Sequence, residues 1–188
     1  MPTYTTRAFY GGAIKGPTPE NWLDASDVRE IPDHQEVFLS RTTLTTQIIE
    51  INEFVDQGAD DAAALYHVRD LCDEDEKLDV VSGPTKVAMG RFAASVSGFR
   101  GVVCITGARK GRRGVGSSGD GRLVSTVSVH YLVVRLPEQG TDLVVLVNVP
   151  HEEFEMDLGG LEEEERLARG LIDGLVEELE IVDWGLFA

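Results

Sequence analysis

The carboxy-terminal half of the chain alternates between two apolar faces. Between Lys86 and Pro150 it is rich in Val, Thr, Ile and Tyr, with strand-like segments near 87–97, 99–107, 122–136 and 141–149. In the third segment Val127, Val129, Tyr131 and Val133 fall on one face, while His130, Leu132 and Val134 fall on the other. The fourth sets Leu143, Val145 and Val147 opposite Val144 and Leu146. A sheet that is apolar on both sides needs cover on both sides, and the tight Pro137–Gly140 link makes its neighbours antiparallel. The pattern predicts an α+β fold, a three-layer α/β/α sandwich around a central, mainly antiparallel sheet.

The cover is read from helical spacing. Leu44, Ile48, Ile51 and Val55 recur at helical intervals after Thr42 or Thr43 as N-cap, which predicts a first amphipathic helix. Ala64, Val68 and Leu71 predict a second, with Asp60 and Asp61 favouring its positive end and the acidic run Asp73–Glu76 stopping it near Cys72. Ala168, Leu171, Ile172, Leu175 and Leu179 mark a long helix near Gly160–Leu179, whose Glu162–Glu165 suit the dipole of its first turns.

Ahead of these, Arg7–Ile14 reads as a strand interrupted at Gly11-Gly12 and ended by Pro17 and Pro19, and Val80–Pro84 reads as a loop. Residues 107–121, GARKGRRGVGSSGDG, predict a flexible hairpin loop, and the apolar ending Ile181–Ala188 is expected to pack on the body. One domain spanning 1–188 accommodates all of this.

Composition narrows the class. The chain is 42% hydrophobic and 27% charged, with no apolar run near the length needed to span a bilayer, so a soluble protein is expected. The amino terminus lacks the charged start and apolar middle of a secretory signal, and two cysteines, Cys72 and Cys104, are too few for a disulfide framework or a zinc site. A net charge of -16 disfavours nucleic acid and anionic lipid. The charge is also segregated. Residues 1–81 hold seventeen acidic against six basic residues, 82–135 one against nine, and 136–188 fifteen against two. That distribution predicts a negative surface assembled from remote segments, suited to a basic protein partner, although solvation alone also accounts for many acidic surfaces.

Motifs for chemistry are sparse. The Gly/Arg loop lacks the GxxxxGK[ST] spacing, and its Arg109-Lys110 and Arg112-Arg113 are a weak basis for a nuclear address. His34, His67, His130 and His151 show no metal-ligand spacing, and no GxSxG elbow presents a serine. No metal and no cofactor are expected. Binding chemistry is concentrated instead in Asp24–Arg41, DASDVREIPDHQEVFLSR, where Asp24, Ser26, Asp27, Arg29, Asp33, Gln35 and Glu36 surround the stiffening Pro32; these side chains cap local backbone or face a partner. On the predicted first helix, Glu50 and Glu53 stand three apart on the face left free by the apolar stripe.

These ordered motifs, Tyr10-Gly11-Gly12-Ala13-Ile14, Asp24-Ala25-Ser26, Arg29, Pro32-Asp33 and Gln35-Glu36-Val37, followed by Val147-Asn148-Val149-Pro150, Val182-Asp183 and Leu186-Phe187-Ala188, resemble the Ran guanine-nucleotide release factor family, the Mog nuclear-import proteins. The Gly/Arg loop and the acidic run after Leu71 depart from the family pattern. The resemblance implies a fold shared with the photosystem subunit PsbP, with helices on both sides of an antiparallel sheet. It implies the small GTPase Ran as partner, nucleotide release and support of nuclear protein import as activity, nucleus and cytoplasm as location, and other nuclear transport factors as further contacts. It also implies a Ran-binding role for acidic positions of the first helix, which align with Glu50 and Glu53. With Asp24, Asp27, Arg29, Asp33 and Glu36 they make the expected partner-binding set of a regulator without catalytic residues. A PsbP-like scaffold or assembly chaperone for a basic partner is the alternative.

Overall fold

The computed structural model describes residues 3–108 and 124–188. Among the described residues ten strands form two sheets, accompanied by two α-helices: β1 (Tyr4–Phe9), β2 (Ile14–Pro19), β3 (Leu23–Asp24), β4 (Gln35–Leu39), β5 (Thr46–Glu53), α1 (Asp60–Arg69), β6 (Lys77–Ala88), β7 (Ser97–Ala108), β8 (Val124–Leu136), β9 (Thr141–Pro150), α2 (Leu158–Glu178) and β10 (Glu180–Ile181). The main sheet has seven strands in the order β3-β4-β5-β9-β8-β7-β6, every neighbouring pair antiparallel. A smaller sheet, β1-β2-β10, lies apart from it.

The double alternation in β8 and β9 separates two cores. Leu132, Val134, Leu143, Val145 and Val147 bury against Ala168, Leu171, Ile172 and Leu175 of α2, together with Phe9 and Ile14 of the small sheet. Val129, Tyr131, Val133, Val144 and Leu146 bury on the opposite face, where Ala64 and Val68 of α1 cover them. The three-layer α+β arrangement expected from the pattern is the one observed. Helix α2 comes close to β2 because position 16 is glycine; a Cβ there would sit 3.1 Å from both Leu179 and Phe9. The chain end packs on the body, with Leu186 and Phe187 against the α2-side core and the Val182 N–H bonded to the Ala13 carbonyl.

Four expectations fail. The predicted first helix from Thr42 is strand β5, paired with β9 over its whole length and with β4 from Thr46 to Glu50. Its helical spacing is incidental: Leu44 is 55% exposed in the β4–β5 connection, and β-branched Ile48, Ile49 and Ile51 fit a pleated surface better than a helix. Val80–Pro84 lies within edge strand β6, not in a loop, and Pro84 is accommodated at the second of two register shifts, between Ser82 and Thr85, where the ladder is already broken. The strand placed at 87–97 is therefore the end of β6, a connection, and the first residue of β7. Pro17 and Pro19 do not end their strand but lie in β2, whose other neighbour, β10, pairs only with Ile14 and Lys15 and leaves their edge free. Of the loop read at 107–121, Gly107 and Ala108 close β7, and the rest lies outside the described residues.

Candidate functional site, a Tyr10-centred acidic face

Between β1 and β2 the backbone turns through three successive left-handed residues, Tyr10 (φ 50°), Gly11 (φ 65°) and Gly12 (φ 97°). Glycine adopts this region freely, whereas tyrosine does so at a cost of about 1–2 kcal/mol. Three contacts hold Tyr10 there. Its backbone N–H donates to Glu36 Oε1 at 2.6 Å, and its hydroxyl lies 2.9 Å from the His34 carbonyl and 2.8 Å from the Ile49 carbonyl, one of which accepts its single proton at any moment. Tyr10 thereby pins the β1–β2 turn to the β4–β5 ladder.

Around this post lies a cavity of about 410 Å³, lined among others by Tyr10, Asp24, Asp33, Gln35 and Glu36. Asp24 caps the short 3₁₀ turn after β3, its Oδ1 accepting from the Ser26 N–H at 2.9 Å and the Ser26 hydroxyl at 2.6 Å. Burial raises the Glu36 carboxyl above its ordinary value, the Tyr10 N–H opposes that, and the Asp24 charge adds to the rise. The Tyr10 phenol is likewise held far above its usual range, first by burial and then by the charges of Glu36 and Glu50. The cavity is a place where negative charge crowds negative charge.

Glu50 joins this face from β5. Gln35 and Glu50 are directly paired across the β4–β5 ladder, and Gln35 Nε2 donates to Glu50 Oε1 at 2.7 Å while Asn52 Nδ2 approaches Glu50 Oε2 at 3.3 Å. Both oxygens thus meet neutral amides. Because strand residues three apart point to opposite sides, Glu53 falls on the face of Ile49 and Ile51, away from Glu50. The adjacency expected on a helix does not exist. Asp27 and Arg29 lie on the exposed stretch after β3 and do not line the cavity. The structure therefore gathers Asp24, Asp33 and Glu36 around the cavity, holds Glu50 beside it through Gln35, and leaves Asp27, Arg29 and Glu53 outside that group. Sequence reading named Gln35 among the candidate binding side chains but left it out of the partner-binding set, and it missed Tyr10 as a site residue; a tyrosine directly before Gly-Gly was the available signal for the latter.

Much of the remaining acid is engaged by the fold. Glu164 accepts from the Thr45 hydroxyl at 2.7 Å, Glu153 from the Leu44 N–H at 2.6 Å, and fully buried Asp142 lies 2.8 Å from His67 Nε2 and 2.9 Å from Arg135 Nε. Ser128, His151 and Glu165 also meet, but His151 presents the same Nε2 to Ser128 at 2.7 Å and to Glu165 at 3.4 Å. A general base needs one ring nitrogen for the nucleophile and the other for the orienting carboxylate, so this trio is not arranged as a relay. Among the described residues no group of three His, Cys, Asp or Glu side chains is placed to hold a metal ion, and no helix is long and apolar enough to cross a membrane.

Over 186 residues the chain is 27% identical to the Ran guanine nucleotide release factor of Danio rerio, covering 97% of this chain and 99% of the relative. It is 33% identical over 150 residues to the nuclear import protein mog1 of Schizosaccharomyces pombe, covering 75% and 74%. The crystal structure of the Saccharomyces cerevisiae Ran-binding protein Mog1p superposes with a TM-score of 0.70 at 23% identity, covering both chains fully, which establishes the shared fold. Residues 7–150 match the family described as Ran-interacting Mog1 protein, and the chain belongs to that family.

Proposed function

We propose that this chain is a Ran-binding regulator that promotes release of guanine nucleotide from the GTPase and supports nuclear protein import, acting in the nucleus and cytoplasm by binding alone. Family membership and the names of its relatives support the partner and the activity. The observation that carries the binding face is the gathering of Asp24, Asp33 and Glu36 around Tyr10, with Glu50 tied in through Gln35. None of the four forms an ion pair with a lysine or arginine among the described residues. Such a face is complementary to cations, and the cations nearest a bound nucleotide are those that hold its phosphates. Asp27 and Arg29 extend the face along the exposed 26–30 segment, and Glu53 lies beyond its limit.

The mechanism is differential binding. A regulator speeds loss of a ligand only by favouring the state of the GTPase that holds nucleotide poorly, and tenfold acceleration needs about 1.4 kcal/mol of such preference. Carboxylates that draw lysines or arginines away from phosphate supply that preference without breaking a bond in the nucleotide. The test is the rate of release of a fluorescent guanine nucleotide from Ran with and without the protein. Acceleration that saturates with concentration is expected; association without any change in rate would leave a scaffold in place of a release factor.

A further inference from the structure

Helix α1 is only ten residues long and covers one part of its face of the main sheet, packing on β6, β7 and β8. Beside it lies an open groove of about 290 Å³ floored by Ile48 of β5, Leu146 of β9, Val127 and Val129 of β8 and Ile105 of β7, with Leu71, 36% exposed, at its wall. Two carboxylates stand at its margin, Glu50 and Glu76. Glu50 belongs to this groove, and its hydrogen-bond donor Gln35 belongs to the acidic cavity, so the two depressions meet at one 2.7 Å contact.

We infer that the groove is the apolar centre of the Ran contact and takes a segment of Ran that sets an aliphatic side chain beside a lysine or arginine. The inference rests on the proposed function and goes beyond it by naming a second surface and what fills it. A stable protein interface has an apolar middle and a polar rim, and it buries about 800 Å² on each partner. The acidic cavity is built chiefly from polar groups and is a rim without a middle. The groove is the adjoining apolar surface, joined to the cavity through Gln35 and Glu50, which are paired residues of neighbouring strands. Its occupant is defined by what lines it: aliphatic floor for an aliphatic side chain, Glu50 and Glu76 for a flanking cation. A cation seated at Glu50 touches both depressions, so one basic residue of Ran registers the apolar contact against the acidic one.

The test uses the full chain and Ran. Ile105 and Val127 are partly buried, and the double substitution Ile105→Thr with Val127→Thr keeps β-branching while removing apolar surface from the floor. The inference expects Ran affinity to fall roughly tenfold or more, with the melting temperature close to that of the parent. Should the double variant fail to fold, methyl NMR of the unaltered protein decides the same question: adding Ran is expected to shift the methyl resonances of Ile48, Ile105 and Val127. Unchanged affinity in the folded variant, or shifts confined to residues around Tyr10, overturns the groove and leaves the proposed function standing. If the unaltered protein does not bind Ran, both fall together. Concentration-dependent self-association that the double variant abolishes, without loss of Ran binding, would assign the groove to a second copy of the chain and overturn the inference.

Discussion

Gln35 Nε2 donates to Glu50 Oε1 at 2.7 Å, joining the strand that follows the Pro32 turn to the strand that pairs with the centre of the sheet. This contact gives Glu50 a fixed place on the acidic face, whereas Glu53, three residues on, points to the other side of β5. The two are therefore separable. Glu50→Lys is expected to weaken Ran binding by about tenfold or more, since reversing a charge in a complementary contact sets like against like. Glu53→Lys is expected to leave the affinity unchanged. Titration of Ran against each single variant decides it, and equal losses would mean that the contact wraps around the strand.

Glu36 offers a sharper separation of binding from folding. Its carboxyl is raised by burial and by Asp24, against the pull of the Tyr10 N–H. An acid raised in the folded state binds protons there before the unfolded chain does. Stability consequently falls as pH rises from the ordinary glutamate value through the raised one, and above that window the charge is a net burden. Glu36→Gln keeps an oxygen for the Tyr10 N–H and removes the charge. Its stability at neutral pH is expected to match or exceed the parent's, by no more than about 1 kcal/mol for so partly exposed a group, while Ran affinity drops. A variant that is markedly less stable at neutral pH would show that the charge serves the fold.

The sheet's double apolar face was legible because β8 and β9 carry unbroken runs of large side chains from Val129 to Leu136 and from Leu143 to Val147, and only a strand covered on both sides can bury Leu132 and Val133 together. The long helix was legible from Ala168, Leu171, Ile172 and Leu175, a stripe that no strand period reproduces. Strand β5 was misread because Gln47 occupies a fully buried position on its inner face, donating to the Pro17 carbonyl at 3.2 Å. With that polar residue hiding the alternation, Leu44, Ile48, Ile51 and Val55 imitated a helix. The error carried into the site, since it set Glu50 and Glu53 side by side. Asp24, Asp33 and Glu36 were found as a stretch of chain, but Tyr10 was not, because its role depends on contacts 24 to 39 residues away that no local pattern records.

Asp142 anchors α1 to the sheet. Its carboxylate is fully buried, faces His67 of α1 at 2.8 Å and Arg135 of β8 at 2.9 Å, and accepts from the Val55 N–H at 3.1 Å. The Arg135 side chain is itself only 4% exposed and lies over the Phe54 ring. Asp142→Asn removes the nearer and fully buried carboxylate from that guanidinium, leaving it the exposed Asp60 at 3.7 Å and the Val55 carbonyl, and removal of one partner from a buried pair costs about 3–5 kcal/mol. Chemical denaturation should show a loss of that order, together with faster hydrogen exchange in α1. A loss below about 1 kcal/mol would mean that water already reaches the pair.

Glu165 makes the fold sensitive to acid. From α2 it meets buried His130 at 2.6 Å and His151, beyond the end of β9, at 3.4 Å. Burial by itself would raise this carboxyl, but the contacts from His130 and Ser128 and the charges of His130 and His151 outweigh it and hold the group below its ordinary value. For an acid lowered in the folded state, the stabilisation is complete above the unfolded pKa and disappears as pH falls through the folded one. Glu165→Gln removes that contribution. The variant is expected to melt below the parent at neutral pH, with a deficit of about 1–3 kcal/mol for the weakened bond to buried His130, and the two curves should converge as pH drops below the glutamate range. Melting temperatures of both proteins measured from about pH 3 to pH 7 test this directly. A gap of constant size across that range would show that Glu165 acts through packing alone, because lost packing carries no dependence on protons.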